Sequence, residues 1–255
     1  MTPAQVPTAL VTGAGGSIGG ATASVFSESG YSVVASDVDG SRLEALAKSL
    51  EGPVVTVVGD VRQAADCRKM VDAALEAFGR LDAVVCVPGV EINGTVDDLE
   101  EEDWDAVLDT NLRGTFLVCQ AAVPALRGFG GGAIVTIGSV IGRASLPTAT
   151  AYSAAKAGVE ALTRTMALDH AREGIRVNCV LPGPVDTPHA WQGVAQDEIA
   201  DLRARVGDEV PIGRVGQPQD IAAAIHFLCS DSAAFITGVG LPVDGGLLAK
   251  GALSH

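Results

Sequence analysis

Tyr152-Ser-Ala-Ala-Lys156 sets a phenol and an ammonium four residues apart in an alanine-rich run. On a helix, side chains at i and i+4 share one face, a turn apart. A free tyrosine has a pKa of about 10, too high for efficient acid–base work near neutrality. A neighbouring lysine cation is expected to stabilise the phenolate and lower that pKa. The pair therefore offers a proton donor and acceptor with its own tuning charge. An exposed helix face would tolerate the same two residues, so the weight of the pair depends on its company.

The elements that must position it follow from the hydrophobic pattern. Short β-branched runs fall at 8–12, 32–36, 54–58, 83–87, 133–137, 176–181 and 241–243. Helical patterns lie between them, at 17–29, 41–50, 64–78, 101–126, 151–173 and 218–230. Strands alternating with helices imply βαβ units. The fold class expected is α/β, with a single doubly wound Rossmann-type domain over residues 1–255. Its sheet should be seven-stranded and mostly parallel, with helices on both faces. No linker divides the chain. The stretch 182–216 reads as irregular, and its part around 188–210 as a loop that covers the substrate.

The first of these strands ends in Thr12-Gly-Ala-Gly-Gly-Ser-Ile-Gly19 and feeds directly into a helix. Gly13 and Gly16 permit a tight turn and close backbone approach to a phosphate. Ser17 and Ile18 open a helix whose N-terminus presents unpaired N–H groups and a positive dipole end to a pyrophosphate. The second strand runs out at Asp37, where a carboxylate can accept hydrogen bonds from adenosine ribose hydroxyls. Asp37 could instead cap the next helix, although Asp39 and Ser41 are available for that. Asp60-Val61 ends the third strand, where an adenine ring would lie, and Asp60 is equally suited to forming a turn.

Composition narrows the classes. The net charge of −14, with only 17 scattered basic residues, argues against a nucleic-acid partner and an acidic membrane surface. No apolar run is long enough to span a bilayer, and the N-terminus lacks a signal-peptide pattern. Five cysteines, far apart and without a CxxC pair, read as reduced core thiols of a cytoplasmic protein rather than disulfides or metal ligands. The four histidines show no ligand spacing.

Taken together, the glycine turn, the strand-end Asp37, Ser139 thirteen residues before Tyr152, the Tyr-xxx-Lys pair and the Pro182-Gly183 loop resemble the short-chain dehydrogenase/reductase family over essentially the whole chain. That resemblance implies a catalytic tetrad of Asn111, Ser139, Tyr152 and Lys156. It implies NAD as cofactor, touched by Gly13, Gly16, Ser17, Ile18, Asp37, Asp60, Val61, Gly89, Tyr152, Lys156, Pro182, Val185 and Thr187. It also implies a small-molecule alcohol or ketone substrate. A homotetramer is expected, with Ala154, Ala155, Gly158 and Ala161 on the contact rows of the Tyr152 helix. Two positions depart from the family pattern. Ser17 replaces a glycine, and as a small residue it can still cap the helix or reach a phosphate. Cys86-Val87-Pro88-Gly89 replaces the family's Asn-Asn-Ala-Gly, removing the bracing amides while keeping Gly89.

His189 and Trp191 fall in the long loop and either line the substrate site or lie at the surface. An anionic substrate would need basic side chains near the pocket segments, where Arg143, Arg203 and Arg205 are the candidates. Two rival readings stand beside the alcohol dehydrogenase. One is a 3-oxoacyl carrier-protein reductase, disfavoured by Asp37 and the acidic charge. The other is a non-catalytic dinucleotide-binding or redox-sensing protein, which would have no need of Tyr152.

Overall fold

Strands that are buried along their whole length need cover on both faces, and the valine-rich runs here have it. The computed structural model describes residues 6–250. Its sheet contains β1 (Thr8–Thr12), β2 (Ser32–Asp37), β3 (Val54–Val58), β4 (Ala83–Cys86), β5 (Gly132–Ile137), β6 (Ile175–Pro182) and β7 (Gly240–Val243). All six pairings are parallel, in the order β3-β2-β1-β4-β5-β6-β7. The chain is thus one α/β domain with an all-parallel, seven-stranded sheet. The order reverses between β1 and β4, which opens a crevice at their carboxyl ends.

Period-two alternation divides the sheet residues between two cores. Leu10, Val34, Val84, Ile134 and Val177 point one way, against Met70, Leu117 and Leu126. Ala9, Val11, Val33, Val85 and Val135 point the other, against Phe26, Leu43 and Ile225. The helices supplying those partners are α1 (Ser17–Glu28), α2 (Gly40–Ser49), α3 (Ala64–Phe78), α5 (Gly114–Gly128) and α8 (Pro218–Cys229). Between α3 and α5 runs α4 (Glu101–Leu108), and α6 (Thr150–His170) carries the Tyr-xxx-Lys pair.

Three expectations are corrected. The single helix anticipated over 101–126 is two helices, α4 and α5, joined by a wide π-turn at Asp109–Arg113. The cause is Asn111, whose Nδ2 donates to the Val107 carbonyl at 2.9 Å, an acceptor that a regular helix would give to the Asn111 backbone N–H. The stretch 182–216 is not irregular throughout: it holds a short 3₁₀ turn at His189–Trp191 and the helix α7 (Ile199–Glu209). That helix buries Gly207 and half-buries only Ile199, Leu202 and Val206 along one narrow strip, so its pattern is faint in the sequence. On α6, Ala155 is fully buried beside Val107 and Ala151, and a side chain at Gly158 would collide with Leu112. Of the four residues assigned to contact rows, only Ala154 and Ala161 are exposed.

Candidate active site

The glycine turn is built from backbone. Gly13 has a φ of +68°, and a Cβ there would lie 2.9 Å from the Pro88 nitrogen. Gly16 is the N-cap of α1 and no side chain caps that end, so its first N–H groups are left for a ligand. Ser17 is the first helical residue and its hydroxyl does no capping, contrary to one of the roles open to it in the sequence. Ile18 packs against the core below the turn. Gly19 was not singled out, yet it is the least replaceable residue of the motif: a Cβ would overlap the Gly13 carbonyl.

Asp37 closes the turn from the side. Its carboxylate accepts from the Gly15 N–H and from the Asp39 N–H, each at 3.0 Å. The cap of α2 is Asp39, which accepts from Ser41 N and Arg42 N, so Asp37 is not the cap. Arg42 is drawn to Asp39 at 3.2 Å. At the third strand's end, Asp60 is engaged by Arg62, which donates Nε at 2.9 Å and Nη2 at 2.7 Å, and its carboxyl is held below the usual range by that contact. Val61 is buried in the core beneath. A dinucleotide suits this cradle: glycine leaves room for a pyrophosphate, no side chain claims the helix N-terminus, and a carboxylate stands at its rim.

The reacting groups gather at the carboxyl ends of β4 and β5. Ser139 follows β5 in extended conformation and is buried, its Oγ accepting from Ile141 N at 3.2 Å. Lys156 is buried on α6 and donates from Nζ to the Ile137 carbonyl at 2.9 Å. Its Nζ lies 5.4 Å from the centre of the Tyr152 ring. Asn111 is buried in the π-turn, with Nδ2 also donating to Val90 O at 2.8 Å and Oδ1 without a protein partner. Gly89 links these residues, since a Cβ there would lie 2.8 Å from Asn111 Oδ1 and 3.3 Å from Lys156 Nζ. The atypical Cys86 is buried, its sulfur 3.9 Å from that of Cys119, so an apolar contact stands where an amide was expected.

The protonation energetics differ from expectation. Burial pushes the Tyr152 phenol well above its ordinary value, and the Glu91 carboxylate adds to the rise, while the Ser139 hydroxyl opposes it. Burial also brings the Lys156 ammonium down to about 8. The lowering of the tyrosine by its lysine is therefore not what dominates here; desolvation of both groups is.

Beyond β6 the chain is held by its neighbours. Pro182 and Val185 are buried, and Val185 bridges to Gly216 through Asp186 N to Gly216 O at 2.8 Å. Thr187 Oγ1 accepts from Ala190 N at 3.2 Å, across the start of the short turn. His189 is exposed, whereas Trp191 is buried and donates Nε1 to Asp186 at 2.7 Å. Arg203 of α7 pairs with the same carboxylate at 3.0 Å and lies over the Trp191 ring. This Asp186–Trp191–Arg203 latch was invisible in the sequence. Arg143 is likewise committed, to Glu160 at 2.6 Å and to the Gly240 carbonyl at 3.1 Å.

A family model described as Enoyl-(Acyl carrier protein) reductase matches residues 13–248. The chain belongs to the short-chain dehydrogenase/reductase family. It is 40% identical to 2-(S)-hydroxypropyl-CoM dehydrogenase 3 of Xanthobacter autotrophicus, over 94% of this chain and 95% of that protein. It is 36% identical to the 3-oxoacyl-[acyl-carrier-protein] reductase of Thermotoga maritima, over 94% of this chain and 96% of the relative. Among solved structures, a putative short-chain alcohol dehydrogenase from Sinorhizobium meliloti superposes with a TM-score of 0.87 at 36% identity, covering 95% of this chain and 96% of the other. Family members use a nicotinamide dinucleotide, and this chain carries the cradle for one.

Proposed function

We propose that this enzyme is an NAD-dependent oxidoreductase that interconverts a secondary alcohol and a ketone. The observation that carries this reading is the convergence of Ser139, Tyr152 and Lys156 beside Gly89, at the crevice where the glycine turn and Asp37 stand. The dinucleotide, when bound, supplies or accepts the hydride. The chain's residues handle the oxygen and the proton. Ser139 and Tyr152 donate hydrogen bonds to the substrate oxygen as it gains charge, and Tyr152 passes its proton to it. The raised pKa of Tyr152 keeps it a donor at neutral pH. For the reverse step the phenolate needs nearby positive charge, which Lys156 supplies one turn along α6. Asn111, with a buried and unpartnered Oδ1, is suited to hold a water that relays protons to Lys156. Asp37 is the reason for naming NAD rather than NADP.

The carrier-protein reductase reading has a 36% identical relative in its favour. Against it stand the −14 net charge and the engagement of Arg143 and Arg203, two of the basic residues nearest the site, with internal carboxylates. A cytoplasmic setting fits the dispersed, unpaired thiols. Among the described residues no helix is long and apolar enough to cross a membrane.

The test is turnover of a panel of secondary alcohols with NAD, followed by Tyr152→Phe on the best of them. The variant should bind NAD and lose at least about 10²-fold in turnover. Retention of near wild-type turnover would show that Tyr152 is not the acid.

A further inference from the structure

The Ser139 hydroxyl is placed by a turn that has no chemistry of its own. Ser139 leaves β5 in extended conformation, and its Oγ accepts from Ile141 N at 3.2 Å. That bond uses an oxygen lone pair and leaves the hydroxyl proton free to be donated. The oxygen therefore follows the turn Val140–Gly142, which Arg143 N closes by donating to Val140 O at 3.0 Å. The turn is pressed onto α6: a Cβ at Gly142 would lie 2.9 Å from Ala157 N and 3.0 Å from the Lys156 carbonyl carbon. Arg143 then reaches in from the surface to the same helix. Its Nη2 donates to Glu160 Oε1 at 2.6 Å and its Nε to Oε2 at 3.0 Å, while Nη2 also donates to Gly240 O on β7 at 3.1 Å. Glu160 stands one turn beyond Lys156 and two beyond Tyr152. It is buried, and the Arg143 guanidinium holds its carboxyl below the usual range, so the pair is charged at neutral pH. The contact is tight enough to need a glycine on β7, since a Cβ at Gly240 would lie 2.6 Å from Arg143 Nη2 and 2.8 Å from Glu160 Oε1.

Resting on the oxidoreductase reading above, we propose that Arg143 is a positioning residue: clamped to Glu160, it holds the Val140–Gly142 turn on α6 and so keeps the Ser139 hydroxyl in register with the Tyr152 phenol. The two donors sit on different elements, the end of β5 and α6, and must meet one substrate oxygen. Lys156 Nζ fastens α6 to the Ile137 carbonyl ahead of Ser139, at 2.9 Å. The Arg143–Glu160 clamp fastens it behind. A misplacement of about 1 Å at such a donor costs on the order of 10²-fold in rate. Arginine is the residue for this task, because its planar fork fixes direction as well as distance, whereas lysine is a point charge on a flexible stem. Arg164 also reaches Glu160, at 3.2 Å, but from α6 itself, so it cannot tie the turn to the helix.

The experiment measures kcat and KM of the full-length enzyme, with NAD and its best secondary alcohol, for Arg143→Met and Arg143→Lys, each alone and combined with Ser139→Ala. Arg143→Met alone should lower kcat about 10- to 100-fold with NAD affinity unchanged, and Arg143→Lys should fall between it and the wild type. With Ser139→Ala the hydroxyl to be positioned is gone, so adding Arg143→Met should cost less than about threefold more. An arginine that only stabilises the fold would cost the same in both backgrounds, and that result overturns the proposal. Wild-type kcat in Arg143→Met, or in Ser139→Ala, overturns it as well. Should Arg143→Met not fold, Gly240→Ala drives a methyl group against the clamp from β7 and carries the same comparison. A loss of about threefold or more that disappears with Ser139→Ala supports the clamp, while no loss, or one that persists, overturns it. All of these results leave the oxidoreductase reading standing. Absence of NAD- or NADP-linked turnover by the wild type across a broad alcohol panel would instead remove that reading, and the role of Arg143 with it.

Discussion

Replacing Asp37 by Asn separates charge from shape at the rim of the dinucleotide cradle. The carboxylate is held still by the Gly15 and Asp39 N–H groups, both at 3.0 Å, and cannot swing away from an incoming group. Against the ribose hydroxyls of NAD it is an acceptor. Against the extra phosphate of NADP it is a like charge. Unit charges about 4.5 Å apart at an effective dielectric near 20 repel by roughly 4 kcal/mol, and a dianion by more. Solvent screening at the open rim reduces this to about 2–4 kcal/mol. Arg42 does not cancel it, being drawn to Asp39 instead. Since 1.4 kcal/mol is about tenfold, the wild type should prefer NAD by roughly 30- to 1,000-fold in kcat/KM. Asp37→Asn should remove most of that preference, raising NADP use and weakening NAD. The assay is initial rates at saturating alcohol with each cofactor varied, at two ionic strengths, with the preference shrinking in high salt. The reasoning is falsified if the wild type uses NADP as well as NAD, or if Asp37→Asn leaves the ratio where it was. The second outcome would mean that Asp37 serves only to brace the glycine turn.

Two further outcomes are expected. Lys156 is buried as a cation with its pKa brought down to about 8 in the folded chain, against about 10.5 unfolded, so its burial opposes folding fully below pH 8 and the penalty lifts as pH rises towards 10.5. Chemical denaturation of the ligand-free protein should show the wild type gaining on Lys156→Met by on the order of 3 kcal/mol between pH 7 and 10, and parallel pH dependences would refute this. The raised Tyr152 pKa acts with the opposite sign and above pH 10, so it does not mask the trend. In solution the chain should assemble as a tetramer, since Phe116, Leu168 and Phe235 are left 43%, 82% and 104% exposed; a stable monomer by light scattering at micromolar concentration would count against it.

Much of the scaffold could be read from residue pattern because its causes are local. Runs whose centres are apolar on both faces, such as 8–12 and 83–86, have no alternative to a doubly covered sheet. The glycine turn is legible because its conformation needs small residues at fixed spacing within one short segment. What escaped notice depends on residues distant in sequence. Asn111 widens its helix by taking the Val107 carbonyl, and the second carbonyl that holds its amide, at Val90, is distant in sequence. Arg143 and Arg203 look like anion sites until Glu160 and Asp186 are brought beside them. Helix α7 has too narrow an apolar strip and too many acidic residues to announce itself. The Tyr152–Lys156 spacing was legible, whereas the direction of the tyrosine shift was not, because i,i+4 geometry says nothing about how deeply the two groups are buried.

The π-turn has a bearing on how this site could change over evolutionary time. An extra residue within a helix advances everything beyond it by about 100°. Upstream of the turn, Val107 is locked into the small cluster with Ala151 and Ala155; downstream, Leu117, Val118 and Leu126 are locked into the main core. Deleting one residue from 109–113 would restore regular helix geometry yet turn one of those faces out of its core. The chain therefore cannot relax the bulge in a single step, and Asn111 is kept pointing at Gly89 by two packed surfaces that have no part in the chemistry.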